Sequence, residues 1–361
     1  MPDSWEAVLD LVRGAGAVLL VLHVRPDGDS LGSSLAMARC LGAMGKAVHV
    51  TCADPLPANL AFLDPTGICQ PPDRLEGPFD VALFLDCADL ERCGAARSLV
   101  SQAKTLVNVD HHPSNRRFGD VNYIEARAAA CGEIVFALLS ELGATIDSGV
   151  ATALYTALVT DTGSFRFANT TSHTLCLAAR LVELGADADQ VGREVWSSRS
   201  LASLRLLEAA LHTLALDAGG RIAWMSVTPA MLRQAGASAE DGEGLVDYPR
   251  ALRGVEVALL FSLETAGYVR VNLRSGHLVD ASLLAGAFGG GGHARAAGCT
   301  VRGSLRAVRE RVLAATRTAL SVAGMSAAGQ CPDPAVLPTG VSTPGSGSLP
   351  PAQPVNGRIA P

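Results

Sequence analysis

The segment His23-Val-Arg-Pro-Asp27-Gly-Asp29-Ser30 follows the apolar run 17–22 directly and opens a stretch of small residues, 31–44. A buried strand that ends in one imidazole and two carboxylates is a poor start for a core and a good one for a metal site. Crowded carboxylates repel one another by roughly 4 kcal/mol per close pair at an effective dielectric of about 20, so they need cations or protons beside them. Divalent cations meet that need.

Three further segments repeat the pattern. The run 79–85 ends in Asp86, the run 105–109 ends in Asp110-His111-His112, and the helical apolar pattern 153–160 closes on Asp161-Thr-Gly163. A single Asp after a strand commonly serves as a turn former or helix cap. Here the acids and imidazoles fall at the same edge of successive apolar runs. Buried parallel strands read as continuous Val/Leu/Ile runs, and in open α/β sheets the ligand crevice lies outside their carboxyl ends.

These residues carry a resemblance. His23-x-x-Pro-Asp27-Gly-Asp29-Ser30, Asp86, Asp110-His111-His112 and Thr160-Asp161-Thr-Gly163 are similar to the four motifs of the DHH phosphoesterase superfamily, over about the first 190 residues. A second resemblance covers the C-terminal part. Leu273-Arg274-Ser275, followed by Phe288-Gly289-Gly290-Gly291-Gly292-His293-Ala-Arg295-Ala-Ala-Gly298, resembles the DHH-associated domain, as does Glu243-Gly-Leu-Val-Asp-Tyr248-Pro-Arg250 before it. Four consecutive glycines let backbone N–H groups approach an anion, and an arginine forks onto phosphate oxygens, so this stretch is expected to form a phosphate-binding wall.

Composition agrees with a cytoplasmic enzyme. The chain has 361 residues, 48% hydrophobic and 18% charged, enough for two domains with their own cores. No apolar run reaches about 18 residues and the N-terminus lacks a basic leader, so no membrane association is expected. Nine scattered cysteines without a C-x-x-C pair read as reduced core residues. The formal net charge is −6 and no basic run exceeds two residues. Tracking a long nucleic acid usually takes a basic stripe. Capture is therefore expected to be local, through the metals, Arg116, Arg117, Arg274, Arg295 and the glycine loop, which favours short substrates.

Periodicity and breakers supply the elements that must position these groups. Strands are expected at 17–23, 47–51, 81–86 and 105–110, with helices at 29–44, 130–142, 148–160 and 172–184. The fold class is α/β, an N-terminal parallel-sheet DHH domain over 1–190. A linker at 191–204 leads to a smaller α/β DHH-associated domain over 205–324, with the active site in the cleft between them. In that second part helices are expected at 201–214, 229–235, 279–287 and 305–322, and strands at 221–226, 256–264 and 268–274. From about Ser326 onward eight prolines stand among Gly and Ser, and residues 325–361 are expected to form a disordered tail.

By resemblance, one metal is held by His23, Asp27 and Asp86 and a second by Asp29, Asp86, His111 and Asp161, with Asp86 bridging. Mixed imidazole and carboxylate ligands suit Mn²⁺ better than all-oxygen Mg²⁺ shells, with Mg²⁺ or Co²⁺ as alternatives. His112 then contacts the scissile phosphate or protonates the leaving oxygen, and Asp110 orients an imidazole. Arg274, Ser275 and the loop Gly289–His293 bind the nucleotide beyond the scissile bond, so that the two-walled site measures substrate length. The resemblance implies a phosphoesterase that degrades very short RNA and removes the 3′ phosphate of pAp, adenosine carrying 3′ and 5′ phosphates. It also implies a homodimer through the helical part of the first domain. Alternatives are a soluble phosphodiesterase for pApA or cyclic-di-AMP, a family II pyrophosphatase, a RecJ-like exonuclease, and a nucleotide-binding regulator without chemistry. One departure stands out: a Ser or Thr commonly precedes the Gly-Glu pair after the third motif, where this chain has Ala130-Cys131-Gly132-Glu133.

Overall fold

The computed structural model describes residues 3–264 and 267–328. The first sheet has six strands, β1 (Ala17–Val21), β2 (Ala47–Thr51), β3 (Cys69–Gln70), β4 (Phe79–Leu85), β5 (Ala103–Asp110) and β6 (Val121–Ile124). All are parallel, in the order β3-β2-β1-β4-β5-β6. The chain winds outward from β1 to β3, then returns to the other side of β1 for β4. The order therefore reverses between β1 and β4, and such a switch point leaves a crevice at the carboxyl edge where ligands bind.

Alternation along the strands serves two cores. Leu20, Leu22, Leu83 and Leu85 join the larger cluster on one face, while Leu19, Val21, Phe79 and Phe84 join a smaller cluster on the other. Helices α1 (Trp5–Gly14), α2 (Gly28–Ala43), α3 (Cys131–Glu141), α4 (Ser148–Asp161) and α5 (Ser172–Glu183) supply residues to the larger one. Small residues let α2 lie close against α4. A Cβ on Gly32 would stand 2.3 Å from the Ala153 carbonyl oxygen, and one on Gly28 would stand 2.4 Å from Thr160 Cγ2. Only glycine allows that approach. The seam brings Asp29, in the first turn of α2, to Asp161, the last residue of α4.

The second sheet contains β7 (Ala215–Asp217), β8 (Ile222–Val227), β9 (Val257–Leu263), β10 (Tyr268–Ser275), β11 (Gly291–His293) and β12 (Ala296–Arg302), in the order β11-β12-β10-β9-β8-β7. Only β8 and β9 run parallel. One face packs on α7 (Ala281–Gly286) and α8 (Leu305–Ala328), the other on α6 (Leu201–Leu211). Between the sheets, 193–197 form a wide helical turn before α6 starts.

Several elements escape the pattern analysis: α1, the two-residue β3, β6, β7 and the hairpin of β11 and β12. The glycine run differs most. It is not a free loop, because Gly291 and Gly292 pair with Gly298 and Ala297, and a Cβ on Gly290 would stand 2.1 Å from the Gly298 carbonyl oxygen. Close packing of backbone on backbone explains Gly290, whereas Gly289 and Gly292 need their glycines for φ values of 77° and 137°. The expected tail lies, beyond Ala328, outside the described residues. Among the described residues no helix is long and apolar enough to cross a membrane, and the eight cysteines there are unpaired.

Candidate active site

Each acid and imidazole at the crevice is presented by an element end. His23 follows β1 by two residues, and its ring Nδ1 lies 2.9 Å from the Val24 carbonyl oxygen. Asp27 caps α2, one oxygen accepting the Ser30 N–H at 3.0 Å while the other stands 3.7 Å from His23 Nε2. Asp86 ends β4 with φ of 59°, a left-handed backbone that Asp tolerates better than most residues. Its two oxygens diverge. Oδ2 lies 3.7 Å from His23 Nε2 and Oδ1 lies 3.4 Å from His111 Nε2.

Around His111 the second group closes. Its Nε2 is 3.6 Å from Asp29 Oδ2 and 3.6 Å from Asp161 Oδ2, and its Nδ1 is 3.1 Å from the Ala128 carbonyl oxygen. Asp29 is buried and capped by α3: its oxygens accept the Cys131 N–H at 2.6 Å and the Gly132 N–H at 3.0 Å. Here lies the reason why Ala130 needs no side chain to cap α3. The helix borrows its cap from Asp29, and the positive helix end in turn steadies that carboxylate.

The Nε2 atoms of His23 and His111 are buried and have no hydrogen-bond partner. Each faces carboxylate oxygens too distant for hydrogen bonds. Ligands about 2.1 Å from one ion stand about 3.0–3.5 Å from each other, close to the spacings seen here. His23, Asp27 and Asp86 form one group able to hold an ion, and Asp29, His111 and Asp161 form another. The donor set fits divalent cations, and Asp86 faces both groups.

Electrostatics without an ion show the strain of that arrangement. Burial pushes Asp29 well above the usual carboxylate range, and the Asp86 charge adds to it. Asp161 is raised to about 7, mainly by burial and by Asp86, against the pull of His111. Burial would lower His23, yet the Asp27 and Asp86 carboxylates raise it to about 9. His111 is likewise raised against its burial, by Asp86, Asp161 and Asp29. Asp86 stays well below the usual range despite burial, held there by His111 and His23.

His112 points to another task. Its Nδ1 is 2.8 Å from Asp110 Oδ1, and the other Asp110 oxygen receives Asn115 Nδ2 at 2.5 Å. The imidazole that Asp110 orients is thus His112, while backbone carbonyls orient His23 and His111. Burial lowers the His112 pKa, but Asp110 and Asp86 outweigh it and raise the value. From the second sheet, His293 stacks on His112 with ring centroids 4.2 Å apart at 20°, and it lies 5.1 Å from His111. Burial and the two neighbouring imidazoles push His293 down to about 3, so it stays neutral.

Other residues singled out from sequence sit differently. Arg274 is largely buried, with Nε 3.6 Å from Asp247, and the Asp161 charge reaches it. Buried Ser275 spends its hydroxyl on the Ala294 carbonyl oxygen at 3.0 Å, which holds the β10 end to the β11–β12 hairpin. Arg295 donates to the Val279 and His277 carbonyl oxygens at 3.3 and 3.2 Å. Arg116 is largely exposed and pairs with Asp89 at 2.9 Å, and Arg117 pairs with Asp3 at 3.3 Å. Unforeseen are Asn115 and Asn169, while the guanidinium of Arg250, the last residue of the 243–250 segment, lies 4.6 Å from the centre of the Phe167 ring. Asn115 had a signal in its spacing, five residues after Asp110; Asn169 had none.

Comparison with known proteins agrees with this geometry. Residues 17–158 match the DHH family, N-terminal domain, and residues 222–320 match the DHHA1 domain. The chain is 35% identical over 328 residues to the bifunctional oligoribonuclease and PAP phosphatase NrnA of Thermus thermophilus, covering 90% of this chain and 97% of that one. It is 27% identical over 288 residues to the Bacillus subtilis protein of the same name, covering 79% and 89% respectively. Its fold superposes on the crystal structure of an exopolyphosphatase-related protein from Bacteroides fragilis with a TM-score of 0.78 at 25% identity, over 88% of this chain and 95% of that one. With both domains matched in order and a relative at this identity over nearly its whole length, the chain belongs to the DHH family of phosphoesterases and carries a DHHA1 domain as its second unit.

Proposed function

We propose that this enzyme hydrolyses oligoribonucleotides of a few residues to mononucleotides and converts pAp to AMP at one site. The observation that carries the proposal is the pair of ligand groups on either side of Asp86, faced by His293 from the second sheet. The relatives' printed activities, oligoribonuclease and PAP phosphatase, share one chemistry: attack on a phosphorus ester at the end of a small anion.

In this reading His23, Asp27 and Asp86 hold one Mn²⁺, and Asp29, Asp86, His111 and Asp161 hold the other. Such a pair supplies neutralisation of the phosphoryl oxygens and a water of lowered pKa. His112, its Nδ1 proton committed to Asp110, keeps Nε2 to deliver a proton to the leaving oxygen. Neutral His293 and largely buried Arg274 contact the substrate from the facing wall, and the catalytic unit ends near residue 190. A net charge of −6 suits a site that seizes one terminal phosphate rather than a long strand.

The test is product analysis with Mn²⁺ on pAp, an RNA dinucleotide, a long RNA, cyclic-di-AMP and pyrophosphate. AMP from pAp, fast dinucleotide cleavage and slow cleavage of the long RNA are expected. Turnover of dinucleotides or cyclic-di-AMP alone would replace this reading with that of a dinucleotide phosphodiesterase. On the same substrates His112→Gln is expected to lower kcat by about 10²–10⁴-fold while Mn²⁺ affinity stays unchanged, because it removes a proton donor and no ligand. Steady-state kinetics beside a Mn²⁺ titration separate the two effects.

A further inference from the structure

His111 is oriented by the Ala128 carbonyl, yet Ala128 belongs to no helix or strand. Residues 125–130 cross from β6 to α3 as turns, so something else must hold that carbonyl still. The neighbouring groups supply it. The Ala129 N–H donates to Glu133 Oε2 at 3.2 Å, and Glu133 Oε1 receives the Thr174 hydroxyl at 2.6 Å. On the other side Asn169 Nδ2 donates to the Ala129 carbonyl at 2.9 Å and to the Asp161 carbonyl at 3.1 Å. One turn is tied from both sides.

Proton directions along this chain are determined. Thr174 has one hydroxyl proton, and it goes to Glu133. Its Oγ1 must then accept from the Thr171 N–H at 3.2 Å and from the Thr171 hydroxyl at 2.9 Å, while the Thr174 N–H donates back to Thr171 Oγ1 at 3.1 Å. The capping box of α5 thereby aims a hydroxyl at Glu133, and Glu133 is buried. Its carboxyl group stands three positions into α3, where an acid ordinarily reaches back to its own helix cap. Here it reaches one residue further, to Ala129.

We propose that Glu133 and Asn169 are positioning residues for the metal centre: they fix the Ala128–Ala130 turn, and through the Ala128 carbonyl and the Asp161 backbone they set the direction of His111 and Asp161. The proposal rests on the reading of His111 and Asp161 as metal ligands. Groups that orient a metal-bound imidazole without touching the ion typically change metal affinity by about 10–100-fold when removed.

The test is Mn²⁺ titration followed by the electron paramagnetic resonance of the free ion, with the melting temperature of the metal-free protein measured alongside. Glu133→Ala is expected to weaken Mn²⁺ binding by about 10–100-fold. Glu133→Gln should stay within about threefold of wild type, because its carbonyl still accepts from Ala129 and its amide donates to Thr174 Oγ1, whose proton turns to Thr171. Asn169→Ala, at an exposed side chain whose loss leaves the core untouched, is expected to weaken binding in the same direction. A purely structural Glu133 would lower the melting temperature and leave the affinity of the folded protein unchanged. Affinities of Glu133→Ala and Asn169→Ala both within about twofold of wild type would overturn the inference. Failure of the wild type itself to bind Mn²⁺ would instead overturn the metal-centre reading, and this one with it.

Discussion

Asp86→Asn is expected to cost at least about 10³-fold in turnover, equivalent to about 4 kcal/mol of transition-state stabilisation, and to lower the melting temperature of the metal-free protein near neutral pH. The loss follows from position: Asp86 is the one acid whose two oxygens face both ligand groups. An amide offers one oxygen and no charge, so two cations can no longer share it. The change in stability follows from the charges and not from the backbone. Asparagine accepts φ near 59° as readily as aspartate. The substitution relieves the repulsion on Asp29 and Asp161 but removes the carboxylate that His23 and His111 hold well below its usual range, so the balance at neutral pH is a loss of stability. Calorimetry with and without Mn²⁺, beside initial rates on pAp, checks all parts: the wild type should gain melting temperature with Mn²⁺ and the variant should gain much less. A variant that gains as much melting temperature with Mn²⁺ as the wild type would show that Asp86 holds the fold rather than the ions.

The second large effect is the opposition of pH on the metal-free and metal-loaded enzyme. Asp161 is raised from 3.8 to about 7 and His23 from 6.5 to about 9. In both windows the folded chain binds more protons than the unfolded one. Stability from Asp161 is full below its unfolded value and lost as pH rises through 7, and that from His23 is full below 6.5 and lost as pH rises through 9. The melting temperature in EDTA should therefore fall as pH rises from about 6.5 to about 8.5. Metal binding displaces those same protons, so the Mn²⁺ dissociation constant should fall about tenfold per pH unit over that range for each proton released. At a fixed Mn²⁺ concentration about a hundredfold above the dissociation constant at the low end of that range, bound metal adds about 2.7 kcal/mol there and more as the constant falls, so the gap between the two melting curves should widen with pH. A metal-free protein that gains stability on going alkaline would contradict the crowding of Asp29, Asp86 and Asp161.

The acids and imidazoles were legible in sequence because strand and ligand are neighbours in the chain. The apolar run of β4 ends in Asp86 and that of β5 in Asp110, and periodicity along a few residues suffices to place both at one edge. What was hidden depends on distant partners. Asp29 caps α3 from 102 residues away, and no local rule at Ala130 could announce it. Asn169 reaches Ala129 across 40 residues, and Thr174 reaches Glu133 across 41. β6 is short and carries Asn122, whose backbone and side chain are held by Asp3 rather than by hydrophobic pattern. The glycine run reads in sequence as an anion-binding wall, and only β12 lying against it reveals that Gly290 is also needed for close backbone packing.

The two ligand groups that meet at Asp86, from His23 to Asp161, hang from the first sheet and its helices, while His293, Arg274 and Arg250 come from the second part of the chain. On the proposed reading, holding the ions and choosing the substrate are therefore written in stretches of gene that do not overlap. Drift in the later stretch can retune which phosphate-bearing molecule is accepted while the hydrolytic half stays unaltered. A lineage built this way can change its diet without relearning how to cut.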